Sequence, residues 1–398
     1  MTREEIDELY RDLDFAQIGI VKDHINDNLT DEEIRFIANP EFGLNKMDFI
    51  FSCFKEKYSK KEIVQYINKD FNESQYAELA DAIKSGLSKS KLDILADPRF
   101  NTFQMAQIRC GFNCGLSIKQ VKLYANLKFD DKQMRQIRYG YENNMSEDQI
   151  NVYAKASFNS KQMYEIRTGF DDGLSIKQVS YYANPQFTDY HMELIREVIE
   201  NGSSKEEIEL ISNPQFSECQ IDALHDCFIS ADFSMDEKRI IANPDFDASQ
   251  IINIYLGFLH RLSLEEISLF AKEEFTSEQM REIRYGFEQG LSLQQVATYA
   301  YPNIGAYTMI ERRTKIETQN KNLQNELRNK YRNLSSSQIK KLTSASLNGF
   351  SEKQIDMLAK KNFTDDEMEF IIKNLQRKEE AYDKGKTYSH ISTGKEVR

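Results

Sequence analysis

Cysteine and histidine are scarce, at five each in 398 residues. Cys53, Cys110, Cys114, Cys219 and Cys227 are odd in number and have no paired spacing, so they encode no disulfide framework. Cys110 and Cys114 lie one helical turn apart, too few to hold zinc. The set reads as free, buried thiols in a reducing cytoplasm. His24, His191, His225, His260 and His390 have no ligand spacing and no adjacent nucleophile. No metal and no cofactor are therefore expected. No apolar run is long enough to span a membrane and no signal peptide opens the chain, which argues against a membrane partner and for the cytoplasm. Strands are not evident, so no glycine-rich phosphate loop can follow one. These absences point away from an enzyme. Positive charge is also short: 52 basic against 64 acidic residues leave a net charge of −12, which disfavours a generic nucleic-acid binder. Charge is uneven, with residues 1–50 and 201–250 summing to −8 each, 101–150 to +2 and 301–350 to +6.

What the sequence does contain is a repeat. A phenylalanine recurs at Phe42, Phe71, Phe100, Phe129, Phe158, Phe187, Phe216, Phe246 and Phe275, every 29 residues except for one interval of 30. Ile304, Leu334 and Phe363 keep the register, and Phe15 begins a shortened copy. Count the anchor as position 0. Positions 5, 8 and 12 are apolar (Met163, Ile166 and Phe170 in the Phe158 copy), a spacing that lines one helix face. Asn159 with Gln162 forms a capping box, as do Asp130/Gln133, Thr276/Gln279 and their equivalents. Glycine at position 15 (Gly86, Gly115, Gly173, Gly202, Gly290, Gly349), or Asn144, ends the helix. Serine at position 17 opens a second helix with Gln or Glu three residues later, as in Ser175/Gln178. All six prolines lie two residues before an anchor, where proline disfavours helix in the preceding residue. Each copy thus reads as helix, glycine turn, helix, proline turn.

A 29-residue unit has too few apolar side chains to offset the ordering of its chain, at roughly 1.5 kcal/mol per residue. Copies must stack, and the fold expected is an all-α solenoid of αα hairpins forming a superhelical rod without β-sheet. Residues 1–14 read as an N-terminal capping helix and 15–304 as tandem αα repeats. Residues 305–333 read as one long charged helix, because the glycine turn is missing; 334–378 are final repeats and 379–398 a disordered tail. The long helix is either two helices of a unit fused in line or a lever that projects toward a partner. Glycines at position 11 (Gly111, Gly140, Gly169, Gly257, Gly286) mark points where a neighbouring helix comes close. Tyrosines at position 24 (Tyr66, Tyr124, Tyr153, Tyr182, Tyr299) alternate with Leu95, Ile211 and Phe270, which makes this a core position.

The sharpest candidate for function is a ladder at position 9: Arg109, Arg138, Arg167 and Arg196, returning as Arg284 and Arg313 after lapsing at His225 and Tyr255. Stacked copies would align these guanidinium groups about 10 Å apart, ready for an acidic protein surface or a phosphate backbone. The structural reading is that each arginine offsets its helix dipole and covers apolar surface with its stem. Glu165, Glu193 and Glu282, beside the core, read as solvated.

The phrase IRTGFDDGLSIKQVSYYANPQF, residues 166–187, resembles tandem helical repeats in uncharacterised proteins of gut Firmicutes, their phages and mobile elements. The likeness covers most of 15–304 and again 334–375, and implies helical architecture. Loosely, the glycine-leucine-serine start and proline end also look like the repeat of mitochondrial transcription termination factors, which implies nucleic-acid binding. The function expected is a non-catalytic scaffold that grips a protein partner through the arginine ladder; the resemblance implies a phage or mobile-element protein that grips a host complex. The alternative is RNA or DNA phosphate binding by the same ladder.

Overall fold

In most copies the first helix begins at a side-chain cap and ends in a left-handed residue; Leu44–Lys55 and Ala306–Lys330 start instead at Gly43 and Gly305, without a side-chain cap. The computed structural model describes residues 1–25, 27–230, 232–360 and 363–375, and among them every regular element is a helix. The fold is an all-α helical-repeat solenoid. The tail expected at 379–398 lies outside the described residues. In the Phe158 copy, Asn159 accepts from the Gln162 backbone N–H and the Gln162 side chain accepts from that of Asn159, so Ser160–Asp171 starts with two satisfied donors. Gly173 then takes φ +90°, a left-handed turn that costs glycine no steric strain. Asn144, Lys57 and Arg261 adopt the same turn in their copies.

The second helix is short, seven residues in most copies, as in Ile118–Tyr124. In the Phe100, Phe129 and Phe246 copies it stops at position 24, with Ala125, Ala154 and Ala271 as C-caps. Those three copies have no proline at the turn, yet it closes as it does elsewhere: Phe129 N–H donates to Asn126 O, and Phe187 N–H to Asn184 O. Termination therefore belongs to this local hydrogen bonding, and proline only accompanies it.

The chain forms two compact units, Met1–Pro214 and Gln215–Arg398, where the sequence suggested one uninterrupted array to 304. The boundary falls at the turn before Phe216, the copy in which the arginine ladder lapses to His225. Within each unit, first helices pack on the first helices of neighbouring copies, and each second helix packs on its own first helix. Met163, Ile166 and Tyr182 are fully buried, and each such side chain contributes about 1.5–3 kcal/mol. Position 11 makes room for position 24 of the same copy. A Cβ on Gly169 would stand 1.9 Å from the Tyr182 hydroxyl, and one on Gly111 1.8 Å from that of Tyr124. In these copies the close neighbour is thus a tyrosine at or just past the end of the copy's own second helix.

Two terminal expectations resolve differently. Arg3–Leu9 is a helix with a Thr2/Glu5 capping box and no buried residue, as a polar end helix should be. Ala306–Lys330 is one continuous helix of 25 residues, about 37 Å long. It does not project freely: Met309 is fully buried, and Leu327 joins Ile339, Leu342, Phe350 and Leu358 in a C-terminal core. Of the cysteines, all free, only Cys53 and Cys227 are buried; burial pushes the Cys227 thiol up to about 12.

Candidate functional site

Two sets of polar side chains tie successive copies together, and they decide what is left for a partner. The first is the capping glutamine. Gln133 Nε2 donates to Phe158 O at 2.6 Å, Gln104 to Phe129 O at 2.8 Å and Gln250 to Phe275 O at 2.6 Å. One amide therefore caps its own helix through oxygen and holds the next anchor through nitrogen. Glutamate could perform only the first task. That explains why the second helices, which lack this bridge, take Glu or Gln freely.

The second set is the arginine ladder. The structure does bring Arg109, Arg138, Arg167 and Arg196 to equivalent places in the first unit, and Arg284 and Arg313 in the second. Each reaches back to position 7 of the preceding copy: Arg109 Nε to Glu78 at 2.8 Å, Arg138 to Gln107 and Arg167 to Gln136 at 3.1 Å each, and Arg196 to Glu165 at 3.4 Å. In the second unit Arg284 reaches Asn253 at 3.4 Å and Arg313 reaches Glu282 at 3.0 Å. Five of the six also pair with an acid one turn on: Arg138 with Glu142, Arg167 with Asp171, Arg196 with Glu200, Arg284 with Glu288 and Arg313 with Glu317. Arg138 and Arg284 count among the buried charged residues. The ladder, read from sequence as a candidate contact at the edge of the buried face, is committed between copies.

Two of the three carboxylates expected to be solvated are part of the same device, while Glu193, at position 6, is only half-buried. Glu165 and Glu282 are buried, and desolvation raises the Glu165 pKa against the opposing pull of Arg196. Glu78, Gln107, Gln136, Glu165, Asn253 and Glu282 all serve the position-7 slot, so the slot needs an acceptor more than a charge.

The surface left open lies on positions 3, 6 and 10 of the first helices, roughly 160° from the core stripe at 100° per residue. In the first unit it carries Phe103, Tyr139, Tyr164 and Tyr190, exposed by 71%, 38%, 46% and 37%. Ladder arginines prop up two of these rings. The Arg138 guanidinium stands 4.6 Å from the Tyr139 ring centroid, and Arg167 stands 5.9 Å from Tyr139 and 5.4 Å from Tyr164. Lys132 and Arg135 are exposed beside them. Sequence reasoning passed over this row because it varies between copies: position 6 is Ala106, Arg135, Tyr164 and Glu193 in turn. An aromatic side chain at a position the repeat does not require was the available signal.

Among the described residues no group of three or more His, Cys, Asp or Glu could hold a metal ion, and no helix is long and apolar enough to cross a membrane. Comparison with protein-family models and with curated proteins gave no match.

Proposed function

We propose that the chain is a non-catalytic helical-repeat scaffold that binds a protein partner on the open face of its first unit. The observation that carries this reading is the row Phe103, Tyr139, Tyr164 and Tyr190, which the core does not use. Tyrosine and arginine are enriched where protein interfaces concentrate their energy. Tyr139 and Tyr164, stacked on Arg138 and Arg167, enter an encounter with little side-chain entropy left to lose. The ladder is then a positioning device beneath the contact surface. Phosphate binding by the ladder loses its support, because Glu78, Glu142, Asp171 and Glu200 already neutralise those cations. Five unpaired cysteines suit a reducing compartment, and we place the protein in the cytoplasm. The resemblance to phage and mobile-element repeats favours a bacterial host protein as the partner.

The test is affinity capture from a bacterial lysate by the full chain and by a Phe103→Ser/Tyr139→Ser/Tyr164→Ser variant, with circular dichroism confirming equal helix content. A partner held by the intact chain and lost from the variant is expected. Equal capture by both would refute the assignment.

A further inference from the structure

In the full copies from Phe42 to Phe275 the first helix carries an apolar residue at position 8 and, Val198 apart, a small one at position 11 where its second helix packs: Ile166 and Gly169, or Ile283 and Gly286. In the helix Ala306–Lys330 these positions are Arg312 and Lys315, both exposed. No second helix folds back here, and the freed surface is cationic. On the opposite flank of the same helix, at 100° per residue, stand Lys321 and Arg328, with Arg332 beyond its end and Lys340 on the next helix, Ser336–Leu347. All six are exposed, and among the described residues none of them forms an ion pair, in contrast to Arg313, which is held by Glu282 and Glu317. The exposed acids within 311–341 that are likewise unpaired are Glu311 and Glu326.

Two further features distinguish this surface from a solvated helix face. The helix is amide-rich, with Asn322, Asn325 and Asn329 exposed where better helix formers would serve folding alone. Amides are common donors to phosphate oxygens. An open cleft of about 630 Å³ also lies between these two helices and the turn 288–291 of the preceding copy, lined by Glu288, Glu317, Lys321, Gln324, Lys340 and Ser344 among others. Glu288 is paired with Arg284 and His260. Glu317 is neutralised by Arg313, so the free charges lining the cleft on these two helices are Lys321 and Lys340. The helix from 306 to 330 exposes a single large hydrophobic residue, Tyr307 at its start, so the patch lacks the anchors of a protein hot spot.

We infer that this surface, centred on Lys321, Arg328 and Lys340, is a sequence-independent contact for the phosphate backbone of a nucleic-acid strand. It is separate from the protein-binding face and does not rest on it. The cations supply counterion release and the amides supply neutral hydrogen bonds to phosphate. The overall charge of −12 confines such binding to this patch.

The test is fluorescence anisotropy of labelled 25-nucleotide single-stranded RNA and a 25-base-pair DNA duplex with the full chain, from about 50 to 200 mM salt. Binding is expected at low salt, with affinity falling as salt rises. Lys321→Glu/Arg328→Glu/Lys340→Glu should weaken it at least tenfold, and the Gln versions of these changes should flatten the salt slope by about one per cation removed. Tyr139→Ser/Tyr164→Ser should leave it unchanged. No rise in anisotropy at about 50 mM salt, equal binding by the charge-reversed chain, or competition by polyglutamate as strong as by RNA would each overturn the inference. Equal helix content by circular dichroism guards against misfolding.

Discussion

The Phe158 copy and the copy that begins at Ile304 start alike and end differently. Both bury a methionine at position 5, Met163 and Met309, and both clip an arginine at position 9 to an acid at position 13, Arg167 to Asp171 and Arg313 to Glu317. Beyond that they diverge at three places: Ile166, Gly169 and Gly173 in one, Arg312, Lys315 and Gln319 in the other. The first chain turns at Gly173 and lays Tyr182 against Gly169; the second runs on to Lys330. Whether a hairpin forms is therefore decided in the far half of its first helix, by an apolar seat, a gap for a tyrosine and a left-handed stop.

The largest effect should come from giving one copy the other's residue. Ile166→Arg places an unpaired charge in a fully buried seat and should cost about 4 kcal/mol or more. Arg312→Ile, at an exposed position, should change stability by less than about 0.5 kcal/mol. Urea unfolding measures both, and similar costs would break the comparison. Next comes the clip. Arg167→Ala strands Gln136 and Asp171 and should cost about 2–3 kcal/mol, whereas Arg135→Ala, exposed, should cost under about 0.5 kcal/mol.

The third prediction concerns the gap. Gly169→Ala should destabilise by about 1–3 kcal/mol through overpacking against Tyr182. Adding Tyr182→Leu should recover much of that loss, because Ala82 with Leu95 is a pairing the chain already uses. A double-mutant cycle with no coupling would show the two positions to be independent. The smallest effect belongs to Glu165→Gln, since Gln107 and Gln136 fill the same slot in other copies. Burial raises the Glu165 pKa in the folded protein, so the folded state takes up its proton first. Its contribution is complete below the unfolded value and is lost as pH rises through the folded one. The stability difference between wild type and Glu165→Gln should therefore shift toward wild type on acidification from neutral pH, and an opposite slope in pH-dependent melting would contradict the burial argument.

The repeat made the fold legible, since caps, left-handed stops and core positions recur in nearly every copy, and Met163, Ile166 and Tyr182 could be placed before any coordinates. The pairing of Gly169 with Tyr182 within one copy was half visible, because spacing shows that two positions are special but not that they touch. The candidate site was harder to read. Repetition drew attention to Arg138 and Arg167, and they are regular because every interface between copies needs the same clip. Tyr139 and Tyr164 occupy positions 10 and 6, which repetition leaves free to vary. The carboxylates Glu165 and Glu282 misled for a related reason: a helix wheel shows the core of one helix but not the neighbour that covers its flank.

The claim that the ladder is committed between copies, and is not itself the open surface, is tested most directly by arginine modification. Treat the native chain with phenylglyoxal and follow each arginine by mass spectrometry. Arg135 and Arg312 should react rapidly, while Arg138, Arg167, Arg196, Arg284 and Arg313 should stay protected until the chain is unfolded. Equal rates for Arg135 and Arg167 in the native protein would contradict the account.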